Sequence, residues 1–185
     1  MILGFDTATS DTAVAIIDGR YDDAERLGAE MLEFGRRLRD PNMIMNFGIL
    51  MFPAWREQGR VEVLEAPTRR AVESSPTVPS WRSGLAEVLL ALGKLDEAHA
   101  ELDVLARDDF AIPGDPGRRY GLCGAAHVAA EVGDRSRATI LYDLLGPDAG
   151  LGVIVGPAAY HGVTDRFLGL LAVTLDRLDA AVQHL

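Results

Sequence analysis

The chain has little of what marks a secreted or membrane-spanning protein. One cysteine, Cys123, occurs among its 185 residues, so no disulfide can form within the chain, and a single thiol fits a reducing compartment. No apolar run reaches the roughly 18 to 20 residues that a bilayer-spanning helix needs. The segment Met1–Asp6 lacks the basic start and apolar centre of a signal peptide. We therefore expect a cytoplasmic protein that makes no membrane contact.

Positive charge and aromatic side chains are also scarce. The chain carries 18 Lys and Arg against 28 Asp and Glu, which gives a formal net charge of −10. Surfaces that bind nucleic acid concentrate Lys and Arg to neutralise phosphates, so we predict no direct nucleic-acid contact. Aromatic residues make up 6% of the chain and hydrophobic residues 48%. A hydrophobic fraction dominated by Ala and Leu favours helices over a β-sandwich.

What the sequence does contain is a repeat. Four glycines each precede an amphipathic run of similar form, at spacings of 40, 34 and 40 residues, and a fifth copy without glycine lies 43 residues further on. The copies begin at Gly19, Gly59, Gly93, Gly133 and Asp176. Self-similarity at this period is typical of stacked helical hairpins. We predict an all-α fold, an α-solenoid of irregular helical hairpins, over residues 19–185.

Apolar residues at three- and four-residue steps give approximate helix bounds. The predicted helices are Arg20–Leu38, Asn42–Gln58, Arg60–Ser75, Trp81–Leu92, Lys94–Ala106, Arg118–Val132, Arg135–Leu145, Val163–Leu175 and Arg177–Leu185. Ser80 is predicted to cap the helix from Trp81, and Gly93 to adopt the left-handed conformation that reverses the chain. Pro53 and Pro67 fall inside predicted helices, and Pro53 predicts a kink or a restart.

Two long connections are predicted to be loops. Arg107–Gly117 combines acids, prolines and glycines. Gly146–Gly162 carries five glycines and two prolines around the apolar run Leu151–Val155, which is too short and glycine-broken to predict a strand. This second loop also lacks the Gly-x-Gly-x-x-Gly pattern of a dinucleotide site, so we interpret it as a packed connection between repeats.

The two ends of the chain depart from the repeat. The first 18 residues could form a strand, a turn and a strand, or Ser10 could cap a short helix Asp11–Ile17 that pairs with the helix after Gly19, which the repeat favours. At the other end, Leu178, Val182 and Leu185 are apolar where terminal repeats usually carry a polar cap. We therefore predict an array truncated at its C-terminus that self-associates, or is poorly soluble in isolation, through this apolar surface.

One hairpin carries a family pattern. Trp81, Leu85, Gly93 and Ala98 resemble the tetratricopeptide repeat, which places an aromatic residue and a leucine before a glycine and an alanine in the second helix. The step of 34 residues from Gly59 to Gly93 matches the period of that repeat, whereas the longer steps accompany the two loops. The resemblance implies helical hairpins that bind a partner.

The run from Gly19 to Leu185 is similar to the irregular tetratricopeptide region of large bacterial regulators that contain an NTPase module with a class III cyclase or a LuxR-type DNA-binding domain. The resemblance is carried by Asp40-Pro41-Asn42, Arg56-Glu57-Gln58-Gly59-Arg60, Val78-Pro79-Ser80-Trp81-Arg82, Leu92-Gly93-Lys94-Leu95-Asp96-Glu97-Ala98, Val155-Gly156-Pro157 and Asp165-Arg166-Phe167-Leu168-Gly169-Leu170-Leu171-Ala172. It implies a non-catalytic interaction or regulatory scaffold within a signalling or transcriptional regulator. Its partner would be a protein, a peptide or a neighbouring domain.

A second resemblance concerns the start of the chain. Met1–Ile17 is similar to the opening of the bacterial TsaB family, which takes part in tRNA threonylcarbamoyladenosine synthesis and has an actin-like ATPase fold. Nothing downstream continues that fold, and a first hairpin without its sheet cannot bury its faces. We interpret residues 1–18 as a separate segment, and we keep a TsaB-like subunit or an unrecognised hydrolase as the alternative functions.

Two groups of side chains could carry chemistry. Cys123, His127 and Glu131 stand four residues apart on one helical face, where thiolate, imidazole and carboxylate could bind zinc. No second Cys–His pair completes such a site, so helix packing is the preferred interpretation. His161 and Asp165 could form part of a catalytic dyad, but no nucleophile is near in sequence. Asp165 is instead predicted to favour a helix N-terminus.

The remaining polar and aromatic features are interpreted as structural. Asp103, Asp108, Asp109 and Asp115 lack the pattern of a calcium-binding loop and are predicted to be solvated. Trp55 and Trp81 are predicted to pack in the core. The sequence thus predicts no catalytic, cofactor-binding or metal-binding residue, no cofactor, and a protein that is not an enzyme.

Overall fold

The computed structural model describes residues 18–39, 41–112, 117–155 and 159–184. This part of the chain is mostly helical with little strand, which confirms the all-α prediction. Its helices are α1 (Tyr21–Leu38), α2 (Pro41–Glu57), α3 (Glu62–Ser74), α4 (Pro79–Ala91), α5 (Leu95–Leu105), α6 (Arg118–Glu131), α7 (Arg135–Leu145), α8 (Thr164–Thr174) and α9 (Leu178–Gln183). Short 3-10 turns at Ala106–Asp108 and Gly146–Asp148 follow α5 and α7.

Two strands lie between α7 and α8. They are β1 (Gly152–Val155) and β2 (Ala159–Val163), and they pair with each other as a two-stranded sheet. The sequence predicted a loop over Gly146–Gly162, and that prediction was wrong for the residues of β1 and β2. The apolar run is short, but pairing with β2 satisfies backbone groups that a single segment would leave open.

The repeat has the same backbone geometry at four of its turns. Gly59, Gly93 and Gly133 have φ angles of 68°, 72° and 70°, and Asp176 has a φ of 58°. Each of the four donates its N–H to the carbonyl oxygen three residues earlier, and the following N–H bonds to the carbonyl five residues before it. This is the Schellman motif, which satisfies the last carbonyls of a helix and reverses the chain. The glycine-free copy at Asp176 therefore adopts the same turn as the others.

A small residue five positions after the turn is buried in most copies. Ala24, Ala98, Ala138 and Ala181 occupy this position and are at most 4% exposed, and Leu64 takes it in the second copy. A small side chain in the first turn of the second helix allows the neighbouring helix to approach closely.

The described residues form two compact units. The first contains residues 18–61 with Val155 and Ala159, and the second contains Glu62–Ile154 and Tyr160–Leu185. In the first unit α1 packs on α2. Gly28 lies at this contact, because a Cβ there would come within 2.8 Å of Phe47.

The second unit is built of successive helix pairs. The first helices of the pairs, α4, α6 and α8, pack on one another in order, and α5, α7 and α9 pack on the helix that precedes each of them. In addition, α3, α5 and α7 contact the first helix of the following pair. One continuous apolar core results, and its largest fully buried side chains include Phe167, Leu85, Leu102 and Leu141.

Several local predictions are corrected or fall outside the described residues. Ser80 does not cap α4: the helix begins at Pro79, its N-cap is Val78, and no side chain caps it. The helix α2 continues through Pro53 without a restart, and α3 includes Pro67. Predictions for residues 1–17, Asp115 and Leu185 lie outside the described residues.

Candidate functional site

A carboxylate lies in the core of the second unit. Glu87 follows Leu85 and Ala86 on α4 and is only 3% exposed, although its neighbours in that helix are apolar. Burial of an ionised carboxylate is unfavourable unless other groups compensate it. The groups that surround Glu87 therefore define the candidate site.

Two histidines from different elements meet one oxygen of Glu87. His127 on α6 places Nδ1 3.3 Å from Oε1, and His161 on β2 places Nε2 3.1 Å from the same atom. The side chain of His161 is 8% exposed. The second oxygen, Oε2, is buried and has no hydrogen-bond partner among the described side chains. The three residues form a buried cluster, which we call the Glu87 cluster.

Aromatic rings complete the surroundings of the Glu87 cluster. His161 stacks on Phe167 of α8 with ring centroids 5.7 Å apart and an interplanar angle of 17°. Tyr120 of α6 meets His161 edge-on at 5.3 Å, and His127 meets Phe167 edge-on at 6.4 Å. Stacked and edge-on contacts of this kind hold ring orientations and exclude water.

Small residues allow α4 and α6 to approach at this point. A Cβ on Gly124 would lie 3.3 Å from the Cβ of Ser83 and 3.4 Å from the carboxyl carbon of Glu87. Gly121, one turn earlier, would place its Cβ 2.8 Å from Ile112. Gly124 therefore provides the space in which the Glu87 carboxylate lies, and Gly121 makes room for Ile112.

The electrostatics of the cluster favour an ionised Glu87. Burial by itself raises the pKa of Glu87, but the charge of His161 and the hydrogen bonds from both histidines outweigh it, so its pKa lies below the ordinary value. Burial and the Glu87 charge raise the pKa of Tyr120 well above its usual value. Burial, and secondarily Glu87, also raises the pKa of Cys123 beyond the normal range of a thiol. Both Tyr120 and Cys123 are therefore neutral.

The candidate trio of Cys123, His127 and Glu131, which the sequence analysis set aside in favour of helix packing, does not assemble. Cys123 is fully buried, whereas Glu131 is exposed at the end of α6. His127 turns to Glu87, a residue that the trio does not include. Among the described residues, no group of three His, Cys, Asp or Glu side chains is arranged to hold a metal ion.

His161 and Asp165 are likewise separated. Asp165 lies in the first turn of α8, where it was predicted to favour the helix start. It accepts hydrogen bonds from the Gly150 N–H at 2.5 Å and from His184 at 3.1 Å, and both hold its pKa below the usual value. His161 pairs with Glu87 instead.

The other candidates have structural surroundings. Trp55 packs edge-on against Phe47 at 5.6 Å, and Trp81 packs against the core of the second unit. Asp103 forms an ion pair with Arg137 at 2.6 Å, while Asp108 and Asp109 are exposed.

Sequence reasoning missed Glu87, the centre of the site. One signal was available, because Glu87 is the only acid between Trp81 and Leu92, a stretch that the periodicity assigns to the core. The partners could not be found in the same way. His127 and His161 lie 40 and 74 residues away in sequence.

The chemistry available to the cluster is limited by its neighbours. Ser83, one turn before Glu87, is fully buried, and its hydroxyl donates to the Pro79 carbonyl at 3.5 Å. Cys123 is a protonated, buried thiol, and thiols in that state are poor nucleophiles. The cluster thus joins α4, α6 and β2 with charge-assisted hydrogen bonds.

Comparisons of the chain with protein-family models, with curated proteins and with solved structures found no match. None of the helices in the described part of the chain combines the length and the apolar character needed to cross a membrane. Function must therefore be inferred from the site and the repeat themselves.

Proposed function

We propose that residues 19–185 form a non-catalytic interaction module, an α-solenoid of irregular tetratricopeptide-like hairpins that belongs to a larger bacterial signalling or transcriptional regulator. Its role is to bind a protein, a peptide or a neighbouring domain through the surface of the helix array.

The recurrence of one contact carries this proposal. The residue after each left-handed turn contacts a side chain on the helix that precedes the one leading into the turn. Arg60 contacts Glu25 at 2.5 Å, Lys94 contacts Glu65 at 2.7 Å, and Asp134 lies 3.7 Å from His99. In the last copy, the Arg177 guanidinium lies over the Tyr142 ring at 5.3 Å. A contact that recurs at the same position of successive copies supports stacking of the copies in one common way. This is expected for repeat proteins, in which each unit contacts its neighbours.

The use of the buried polar groups also supports a non-catalytic role. His127 and His161 both bond to Glu87, and the Ser83 hydroxyl and the Cys123 thiol are buried. A catalytic base needs a substrate proton within hydrogen-bond reach. Partner-binding groups must instead lie on the surface, where Leu95 and Val173 are large apolar side chains that are more than half exposed.

The test is a binding measurement between the purified chain and separately purified neighbouring domains of the regulator, by isothermal titration calorimetry. We expect one of them to bind with a dissociation constant of about 1 to 10 µM, the strength at which specific transient contacts are detected. Leu95→Glu and Val173→Glu should weaken that binding. Ser136→Glu, at an exposed polar position of α7, is the matched control and should leave it unchanged.

Failure of every neighbouring domain to bind at these concentrations would contradict the proposal. So would hydrolytic turnover by the purified chain that disappears in His161→Phe, because that result would make the Glu87 cluster a catalytic site.

A further inference from the structure

One edge of β2 is open to a further strand. Within the described part of the chain the sheet has two strands, so β2 pairs with β1 on one side only. A strand edge of this kind presents N–H and C=O groups that another extended segment can pair. Residues 160–163 of β2 belong to the second compact unit, together with α4, α6 and α8.

The open edge of β2 faces the C-terminal end of α6. The Gly152 carbonyl of β1 accepts a hydrogen bond from Arg119, in the first turn of α6. His161 of β2 instead meets the Glu87 oxygen that also contacts His127, about two turns later in α6. Because β1 lies toward the start of α6 and β2 lies further along it, the unpaired side of β2 points to the end of the helix.

An apolar row crosses the helices beyond β2. Leu90 of α4, Ala130 of α6 and Val173 of α8 each lie three residues before the left-handed residue of their turn. The three helices pack on one another in order, so the three side chains form a row, which we call the Leu90 row. Leu90 and Ala130 are half-buried, and Val173 is 55% exposed. The Leu90 row is therefore accessible.

The spacing of the Leu90 row suits one added strand. Leu90 and Ala130 each lie three residues after a member of the Glu87 cluster, on the same helical face. Three residues of helix rise about 4.5 Å, and neighbouring strands of a sheet lie about 4.8 Å apart. A strand paired with the open edge of β2 would therefore lie over the Leu90 row.

The existing strands show how an extended segment lies on this face. Val153 and the side chain of His161 are buried against the helices, whereas Ile154 and Tyr160 are more than half exposed. Successive residues of a strand point to opposite faces. A third strand of the same sheet would direct every second side chain at the Leu90 row, where a charged group would lose water without gaining a partner. Its inward side chains must therefore be apolar.

We propose that the partner binds as a third strand, paired with the open edge of β2 and seated on the Leu90 row. The bound segment is an extended peptide with apolar side chains at alternate positions. Three helices packed 8 to 10 Å apart are spanned by about six residues of strand. This inference rests on the proposed function, because it names the surface and the kind of partner segment that the interaction module takes.

The test uses a synthetic peptide of this pattern and the full chain. The probe is fluorescein-Lys-Val-Thr-Val-Thr-Val-Lys-amide, in which the valines form one face and the lysines suit a chain with a net charge of −10. Fluorescence anisotropy measures its binding. We expect saturable binding with a dissociation constant below about 1 mM.

Two N-methylated peptides test whether backbone pairing holds the probe. One carries N-methyl groups on the first two valines and the other on the two threonines, so each blocks the N–H groups of one strand edge. One of the two should bind about tenfold or more weakly than the parent peptide, because it loses two hydrogen bonds. The other should bind like the parent.

Matched variants of the chain test the Leu90 row. Val173→Glu should weaken binding of the peptide by about tenfold, because it puts a charge against an apolar side chain. Val182→Glu makes the same substitution at an exposed valine of α9 and should leave binding unchanged.

Hydrogen exchange of the unmodified chain, followed by NMR, gives a measurement that needs no variant. Bound peptide should add protection at alternate backbone amides of residues 160–163, and at no amide of β1. Protection of these amides that grows with protein concentration in the absence of peptide would assign the edge to a second copy of the chain and overturn the proposal.

Other results would also overturn it. Equal binding by the two N-methylated peptides would mean that no strand edge is paired, and equal effects of Val173→Glu and Val182→Glu would place the site away from the Leu90 row. If the peptide fails to bind up to about 1 mM while a neighbouring domain binds, the proposed function stands and the β2 edge is not its site. If neither binds, both proposals fail.

Discussion

At the scale of single residues, the turn between paired helices is the feature on which the fold depends. Gly93 has a φ of 72°, and a Cβ built on it would meet no atom within 4 Å. Any change at this position therefore acts through the backbone conformation and not through packing. Left-handed backbone is accessible to glycine and unfavourable for residues with a Cβ.

Gly93→Ala should lower the free energy of unfolding by about 1 to 2 kcal/mol, the penalty for a Cβ in the left-handed conformation. Urea denaturation measures this change. Gly146→Ala is the matched control, because Gly146 has a φ of −49° and also has open space around its Cβ. That variant should be neutral or slightly stabilising, and equal losses in both variants would refute the explanation.

Asp176 offers the reverse substitution. It has a φ of 58° in the same turn and is largely exposed, with a salt bridge to Arg135 at 2.5 Å. Asp176→Gly should raise the free energy of unfolding by about 0.5 to 1 kcal/mol, because exposed ion pairs contribute little. Asp176→Asn, which removes the charge but keeps a Cβ, should not stabilise the chain. If Asp176→Asn raised the free energy of unfolding as much as Asp176→Gly does, the gain would come from removal of the charge and not from the backbone conformation.

At the scale of elements, the Glu87 cluster joins two helices and a strand that the sequence keeps apart. Breaking a buried ion pair by removing one partner is strongly unfavourable, because it leaves the other partners without compensation. The cluster should therefore contribute to stability in a way that depends on pH.

Glu87→Gln should lower the free energy of unfolding at pH 7 by about 3 kcal/mol. The pKa of Glu87 is lowered on folding, so the difference from the unmodified chain should be largest above pH 4.5 and should shrink as the pH falls. Chemical denaturation at pH 7, 5 and 4 measures it. Glu73→Gln, at an exposed site of α3, should change stability by less than about 0.5 kcal/mol. If the loss of unfolding free energy caused by Glu87→Gln grew as the pH fell, the predicted direction of the pH dependence would be wrong.

At the scale of the whole molecule, the open face of α9 remains a candidate surface for self-association. Leu178 and Val182 are 63% and 71% exposed, and they lie four residues apart on one side of the helix. The equivalent of Leu178 in the third copy, Leu95, is 51% exposed. Adjacent exposed apolar side chains favour association between copies.

We expect sedimentation velocity to show association that strengthens with protein concentration. A Leu178→Glu, Val182→Glu double variant should shift the equilibrium toward monomer by about tenfold, as expected for the loss of two apolar side chains at an interface. Leu95→Glu, at the same position in another copy, should leave it unchanged. A monomer at all concentrations would refute this prediction.

The sequence alone determined the helices and most of the turns. Their signals are local: a helix repeats every 3.6 residues, and a left-handed turn favours glycine. The predicted helix Arg135–Leu145 is reproduced, the left-handed conformation predicted for Gly93 is confirmed, and Gly59 and Gly133 share it. The fifth copy was found from the pattern after Asp176, although the glycine itself is missing.

Only the tertiary structure decided the β-hairpin and the Glu87 cluster. The apolar run Leu151–Val155 is a strand because β2 pairs with it, and no local propensity shows that partner. Glu87, His127 and His161 meet because α4, α6 and β2 pack together across 40 and 74 residues of sequence. The spacing of apolar residues predicts which residues are buried. The partner of a buried charge instead depends on which helices and strands pack next to each other.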